Sequence, residues 1–240
     1  MRGLEKKMRL PDQIVARTSD RETRIKHIID RIDADLFANG IQITLETDFQ
    51  SMKAISNGLE KLPLTPNFDP DVSRIGPENG LWMHGRDFSG RTVLTQGARY
   101  YDLKDRTAAL LHESLQAFYA DPASQAEQGE TCRCEAPAMH TISGRVCYHG
   151  ELWLAPPFRG RGLSATVSKL LMATVLLRWQ PDYLFAVVQP GVCLRGVAAG
   201  YGYRNMQPHG MIWTVPSKGT LDEWVVWNNA AELEGAVTRP

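Results

Sequence analysis

The chain is expected to adopt an α/β (α+β) fold: a mixed, mostly antiparallel central sheet with helices on both faces. Three observations lead there. Residues 151–189 read as an apolar strand, a loop carrying Arg159-Gly160-Arg161-Gly162, a long apolar helix and a second apolar strand at 183–188. Residues 41–47 alternate apolar and polar, and 81–87 with 91–103 form two further strands about the turn Phe88-Ser89-Gly90. Residues 19–38 place Ile25, Ile28, Ile29, Ile32 and Leu36 on one helical stripe.

A chain of 240 residues with 43% hydrophobic content holds one substantial core. We therefore expect a flexible start over 1–18 and a single domain over 19–240. The formal net charge is zero, so no strong field recruits nucleic acid or an acidic membrane, and neither is expected as a partner. The basic stretch 1–9 lacks the apolar run of a signal peptide, and residues 170–177 are too short to span a bilayer. A cytoplasmic location is the expectation.

In chain order, the helix at 19–38 is capped by Ser19 or Asp20. The strand at 41–47 precedes a short helix at 49–59 and a Pro-, Asn- and Asp-rich loop at 61–78. After the hairpin, Ala108, Leu111, Leu115 and Phe118 mark an amphipathic helix over 105–119, followed by a flexible polar link at 121–135. Residues 139–147 and 149–154 read as a hairpin about Tyr148. A helix over 191–200, a strand at 211–216 and an aromatic tail segment at 221–227 complete the chain.

The chemistry concentrates in the loop after Ala155. Glycines between a strand end and a helix start let a ligand approach the backbone, where free N–H groups and the helix dipole attract a phosphate. As a bare pattern, Gly160 to Ala165 fits the dinucleotide fingerprint G-x-G-x-x-G/A. Its context does not. Five residues separate the strand end from the first glycine, Val188 is followed by Gln189 rather than an acid, and no long βαβ series follows. Cys132-Arg133-Cys134, with His140, Cys147 and His149, has the residue types of a metal cluster, yet C-x-C is not a usual zinc pair. Reduced thiols and no metal are expected.

The segment Leu152-Trp153-Leu154-Ala155-Pro156-Pro157-Phe158-Arg159-Gly160-Arg161-Gly162-Leu163-Ser164 resembles the acyl-CoA-binding segment of the GNAT acyltransferase superfamily. That family writes an apolar strand, a proline, an aromatic and Q/R-x-x-G-x-G/A; Arg159 and Gly162 match, and Ser164 replaces the final Gly or Ala. The strand at 183–188 and Gly200-Tyr201-Gly202-Tyr203 continue the likeness over roughly 146–214. It implies splayed strands with acetyl-CoA (acyl-CoA) between them, held by Leu152, Leu154, Ala155, Arg159, Gly160, Arg161, Gly162, Leu163, Ser164 and Gln189. It also implies a small-molecule amine acceptor and a homodimer.

Acyl transfer to an amine needs a base, an oxyanion donor and a route for the thiolate's proton. Glu151 and His149 are the base candidates, and a backbone N–H near Leu154 or Ala155, freed by a bulge, is the oxyanion candidate. His84 and Asp87 on the neighbouring hairpin are candidates for acceptor contact. The family's tyrosine would fall at Ala198, which leaves Tyr201 as the acid, or an unassisted thiolate. The family's frequent Asn is absent too, with Gly191 and Cys193 in its place. The expected activity is N-acetyl transfer. Two alternatives stand beside it: a longer-chain acyltransferase fed by acyl-carrier protein, making N-acyl amino acids or acyl-lactones, and a CoA-binding relative without turnover.

Overall fold

The computed structural model describes residues 19–239, so the expected flexible start at 1–18 lies outside the described residues. Helix α1 (Asp20–Ala38) opens on a capping box in which Ser19 accepts from the Glu22 N–H and Glu22 accepts from the Ser19 N–H. Its isoleucine stripe and Leu36 are buried. Strand β1 (Gln42–Glu46) and helix α2 (Phe49–Asn57, capped by Asp48) follow as the residue patterns predict. Then β2 (Gly80–Arg86) and β3 (Thr92–Leu103) form the expected hairpin.

From Leu103 to His140 the structure departs from the sequence reading. The expected helix over 105–119 shrinks to α3 (Ala108–Glu113). Leu115 turns left-handed at φ 59°, and the Ala117 N–H reaches back to the Leu111 carbonyl. The Ala117 carbonyl is taken by the Tyr101 hydroxyl at 3.2 Å, and that pull from β3 outweighs helix periodicity. The expected flexible link at 121–135 instead holds a short helix α4 (Pro122–Glu127) and strand β4 (Thr131–Arg133).

Strand β5 runs unbroken over Gly144–Leu154, which corrects the hairpin expected about Tyr148. Tyr148 is a buried core residue, and Gly150 is no turn. A Cβ at Gly150 or Gly97 would lie 2.6 or 2.7 Å from Phe68, so these paired glycines form the slot that the Phe68 ring fills. Helix α5 (Leu163–Trp179) and strand β6 (Tyr183–Val188) match the sequence reading. The helix expected over 191–200 is two pieces, α6 (Pro190–Leu194) and α7 (Val197–Gly200), broken at Gly196 with φ 71°. The strand expected at 211–216 is the longer β7 (Asn205–Val215). The expected aromatic tail segment is a full strand, β8 (Gly219–Asn229), capped off by helix α8 (Ala230–Thr238).

These strands form one eight-stranded sheet in the order β1-β2-β3-β5-β6-β8-β7-β4. All pairs are antiparallel except β5–β6, so the fold class is the one expected. One face packs against α1, α5 and α8; the other carries α2, α3 and the Phe68 loop. Burial of these two apolar faces is the main stabilising term. Among the described residues, no helix is long and apolar enough to cross a membrane.

The second core contains a titratable group. His112 lies among Phe118, Tyr148 and Phe185, donates from Nδ1 to the Ala108 carbonyl at 2.7 Å, and has no partner for Nε2. Burial pushes its pKa from 6.5 down to about 4. The unfolded chain therefore binds this proton first. Its stabilising contribution is complete above pH 6.5 and falls away as pH drops toward 4, by about 3 kcal/mol. Thermal melts at pH 7.5 and 5.0 should show the loss. His112→Phe, which keeps a ring in the cluster, should remove this share of the pH dependence.

Candidate functional site

Between β5 and α5 the chain makes a short helical turn at Pro156–Phe158 and then the glycine loop. Gly160 and Gly162 adopt φ 70° and 74°, a region that side-chain-bearing residues disfavour, and a Cβ at either would meet nothing within 4 Å. Gly162 is the N-cap of α5, with no capping side chain and no acid in the first turn. Leu163 is buried and pins the helix start to the core. The result is a helix end whose first N–H groups face outward under a positive dipole, suited to a pyrophosphate.

A cleft of about 270 Å³ opens beside this loop, lined by Leu152, Trp153, Leu154, Phe158, Arg159, Gly160, Ser164 and Tyr201. Six of these eight were candidates from sequence; Trp153 and Phe158 are additions. Arg159 donates from Nε to the Leu154 carbonyl at 2.7 Å, fixing the loop to the strand end. Arg161 does not line the cleft: it donates to Asn39 at 3.0 Å and sits over the Phe158 ring. Gln189 is the N-cap of α6, outside the cleft lining.

The cleft lies along β5 where β5 and β6 have parted. They pair only from Val146↔Tyr183 to Tyr148↔Phe185, and β5 continues alone to Leu154. A bulge accompanies the parting: Thr95 pairs with Trp153 and Gly97 with Gly150, so Gln96 faces both Glu151 and Leu152. The expected bulge is therefore present, but earlier than Leu154–Ala155. The Ala155 N–H is not free; it donates to the Val93 carbonyl at 2.9 Å.

Glu151 sits in the bulge with φ 59°. Its carboxylate accepts from Lys61 Nζ at 2.7 Å and from the Thr65 N–H and hydroxyl, each at 2.8 Å. Its side chain is 4% exposed, so this carboxylate is committed to holding the 61–68 loop against the sheet. His149 lies on the opposite face, its Nδ1 3.0 Å from the Tyr203 hydroxyl, with Nε2 buried and unpartnered. Burial lowers its pKa to about 4, so it is neutral at neutral pH.

Sequence reasoning missed Glu223. It stands on β8 one residue past the Val188↔Trp224 pair, on the face that carries Val225 and Tyr148. Burial raises its pKa, and its charge together with that of Glu151 raises the Tyr148 hydroxyl further above its usual value, after burial itself. A carboxylate at the mouth of the parted strands with an elevated pKa suits proton abstraction from an amine. The signal was available: Leu221, Glu223, Val225 and Trp227 alternate as a strand, with one acid in an apolar row.

The other candidates stand apart from this cleft. His84, buried on β2, hydrogen-bonds Thr92 at 2.9 Å and Arg86 at 3.0 Å and stacks on Trp82. Asp87 organises the β2–β3 turn, accepting from the Ser89 hydroxyl at 2.6 Å, the Ser89 and Arg91 N–H groups and Arg91 Nε. Those bonds, that from the Ser89 hydroxyl foremost, hold its pKa at about 2. Cys132 on β4 and Cys134 just after it interact, and this contact, followed by burial, raises the Cys134 thiol well above its usual range.

No family model matches the sequence, and no curated protein matches it. Some solved structures align with most of this chain, at TM-scores below 0.5. One is the aminoglycoside acetyltransferase AAC(6')-Ib in complex with coenzyme A and kanamycin, with a TM-score of 0.43 and 13% identity over 81% of this chain and 98% of that one. Arabidopsis thaliana NAA60 in complex with acetyl-CoA gives a TM-score of 0.43 and 10% identity over 78% and 99%. A spermidine N-acetyltransferase SpeG chimera from Vibrio cholerae and hSSAT gives 0.45 and 7% identity over 80% and 98%.

Proposed function

We propose that this chain is an acyl-CoA-dependent N-acyltransferase that moves an acetyl group to a primary amine of a small molecule. One observation carries the reading: β5, beyond the point where it parts from β6, bounds a cleft that opens onto the glycine-built start of α5, which has no capping side chain. The residues fit the donor. The N–H groups at the α5 start and the Arg159 charge suit the pyrophosphate, and the unpaired edge of β5 at Leu152–Leu154 suits the amides of the pantetheine arm. When bound, acetyl-CoA supplies an activated thioester carbonyl.

The remaining chemistry belongs to side chains and backbone. Glu223 takes the proton of the acceptor ammonium, which frees the nitrogen lone pair for attack on the carbonyl carbon. A backbone N–H of the bulge at Glu151–Leu152 donates to the carbonyl oxygen as it gains charge. As the C–N bond forms the C–S bond breaks; Tyr201, which lines the cleft, gives its hydroxyl proton to sulfur and is replenished by the second proton leaving the nitrogen. A longer acyl chain would need cover beyond this cleft; α1 and α3 pack into the cores and neither lines it, which favours acetyl.

The test is acetyl-CoA binding by calorimetry and thermal shift, with CoA release followed across an amine panel. Saturable binding and amine-dependent release of free thiol are expected. Gly162→Val places a branched side chain at φ 74° in the mouth of the cradle and should weaken binding by about 100-fold or more. Absence of binding by the unaltered protein would sink the reading; binding without thiol release for any amine would leave only the non-catalytic alternative.

A further inference from the structure

A second cleft, of about 370 Å³, lies where the 61–78 loop, β3 and the α3 segment meet, and no residue lining it lines the glycine-loop cleft. Three of its lining residues are Arg74, Arg99 and Arg106, and among the described residues no Asp or Glu lines it. Arg99 is the unusual member. It is 4% exposed, yet it donates to backbone carbonyls: Asn67 at 2.7 Å, Arg74 at 3.0 Å and Ala117 at 3.4 Å. Its Nε is buried with no partner, and its guanidinium lies 5.0 Å from the Tyr101 ring centre.

A guanidinium buried without an acid loses hydration that carbonyl dipoles replace only in part. Two further guanidinium groups in the same cleft add repulsion. Arg106 is steered by the Gln116 carbonyl oxygen and Arg74 by the Ala120 carbonyl at 3.2 Å, so both are oriented by neutral acceptors that leave their charge uncompensated. Planar, donor-rich side chains set this way form a receptor for an oxyanion with two or more oxygens.

We propose that this cleft binds a small oxyanion, a phosphate or carboxylate group, at a site separate from the glycine loop. Asn67 and Thr65 belong to one loop, the first held by Arg99 and the second by Glu151, so an anion that engages Arg99 also acts on the loop clamped beside the parted strands.

The experiment titrates the full chain with inorganic phosphate, and separately with succinate, at fixed ionic strength, reading melting temperature and calorimetric heat. A saturable rise with either anion is expected, and the arm that saturates identifies the source. Arg106→Gln and Arg74→Gln, which leave the buried Arg99 in place, should each weaken the response about tenfold. The part of the response that Arg74→Gln and Arg106→Gln remove should persist in Gly162→Val, which separates this site from the acyl-CoA reading. No saturation with either anion, or an undiminished response in the Arg74→Gln/Arg106→Gln pair, overturns the proposal.

Discussion

Glu223→Gln is expected to lower turnover about 10²- to 10³-fold while acetyl-CoA binding stays within about twofold. The two readouts separate because the carboxylate stands on β8 at the mouth of the parted strands and is absent from the lining of the glycine-loop cleft. Gln keeps the shape and most of the polarity but cannot take a proton. The unaltered enzyme should also show kcat/KM rising with pH through a group titrating above the usual carboxylate range, because burial disfavours the charged form of Glu223. In the variant that rising limb should disappear. A variant that keeps both the rate and the limb would transfer the base role elsewhere. His149 is a poor recipient, since burial lowers its pKa to about 4 and Tyr203 already engages Nδ1.

What the chain discloses locally and what it withholds follow a physical division. The glycine loop, α5 and β6 were legible because their signals are short-range: positive-φ positions, an apolar helix and a run of strand formers. Ser19 was equally readable as a helix start. The errors arise where a partner far along the chain decides. Gly150 resembles a turn residue until Phe68 is seen to occupy the space it leaves. The 105–119 periodicity is real, and all four marker residues are buried, but Leu115 turns left-handed and Tyr101 holds the Ala117 carbonyl, so one helix becomes a helix and a turn. Strand β4 is three residues long and takes its definition from β7. Glu223 was missed for the same reason. Its place beside Tyr148 depends on β8 inserting between β6 and β7, a pairing that local periodicity does not specify.

Glu151 separates the two kinds of reading most sharply. Position on the cofactor strand made it a base candidate; the structure gives its carboxylate three donors and almost no exposure. The two roles predict opposite variants. A base would lose turnover in Glu151→Gln with stability intact. A buried anchor loses stability: Glu151→Ala leaves the Lys61 ammonium, itself only 10% exposed, without its counter-charge and strips Thr65 of its acceptor. Removing one partner of such a pair costs about 3–5 kcal/mol, a large share of the ~5–15 kcal/mol that holds a domain together. Urea unfolding measures it directly. Adding Lys61→Met to Glu151→Ala removes the stranded charge and should recover a substantial part of the loss, because a buried pair replaced by apolar groups is close to neutral. The loss of Thr65's acceptor remains in that double variant, and the 61–68 loop should stay more open to proteolysis than in the unaltered chain. If Glu151→Ala unfolds at the same urea concentration as the unaltered protein, the anchor role is wrong and the base assignment returns to Glu151.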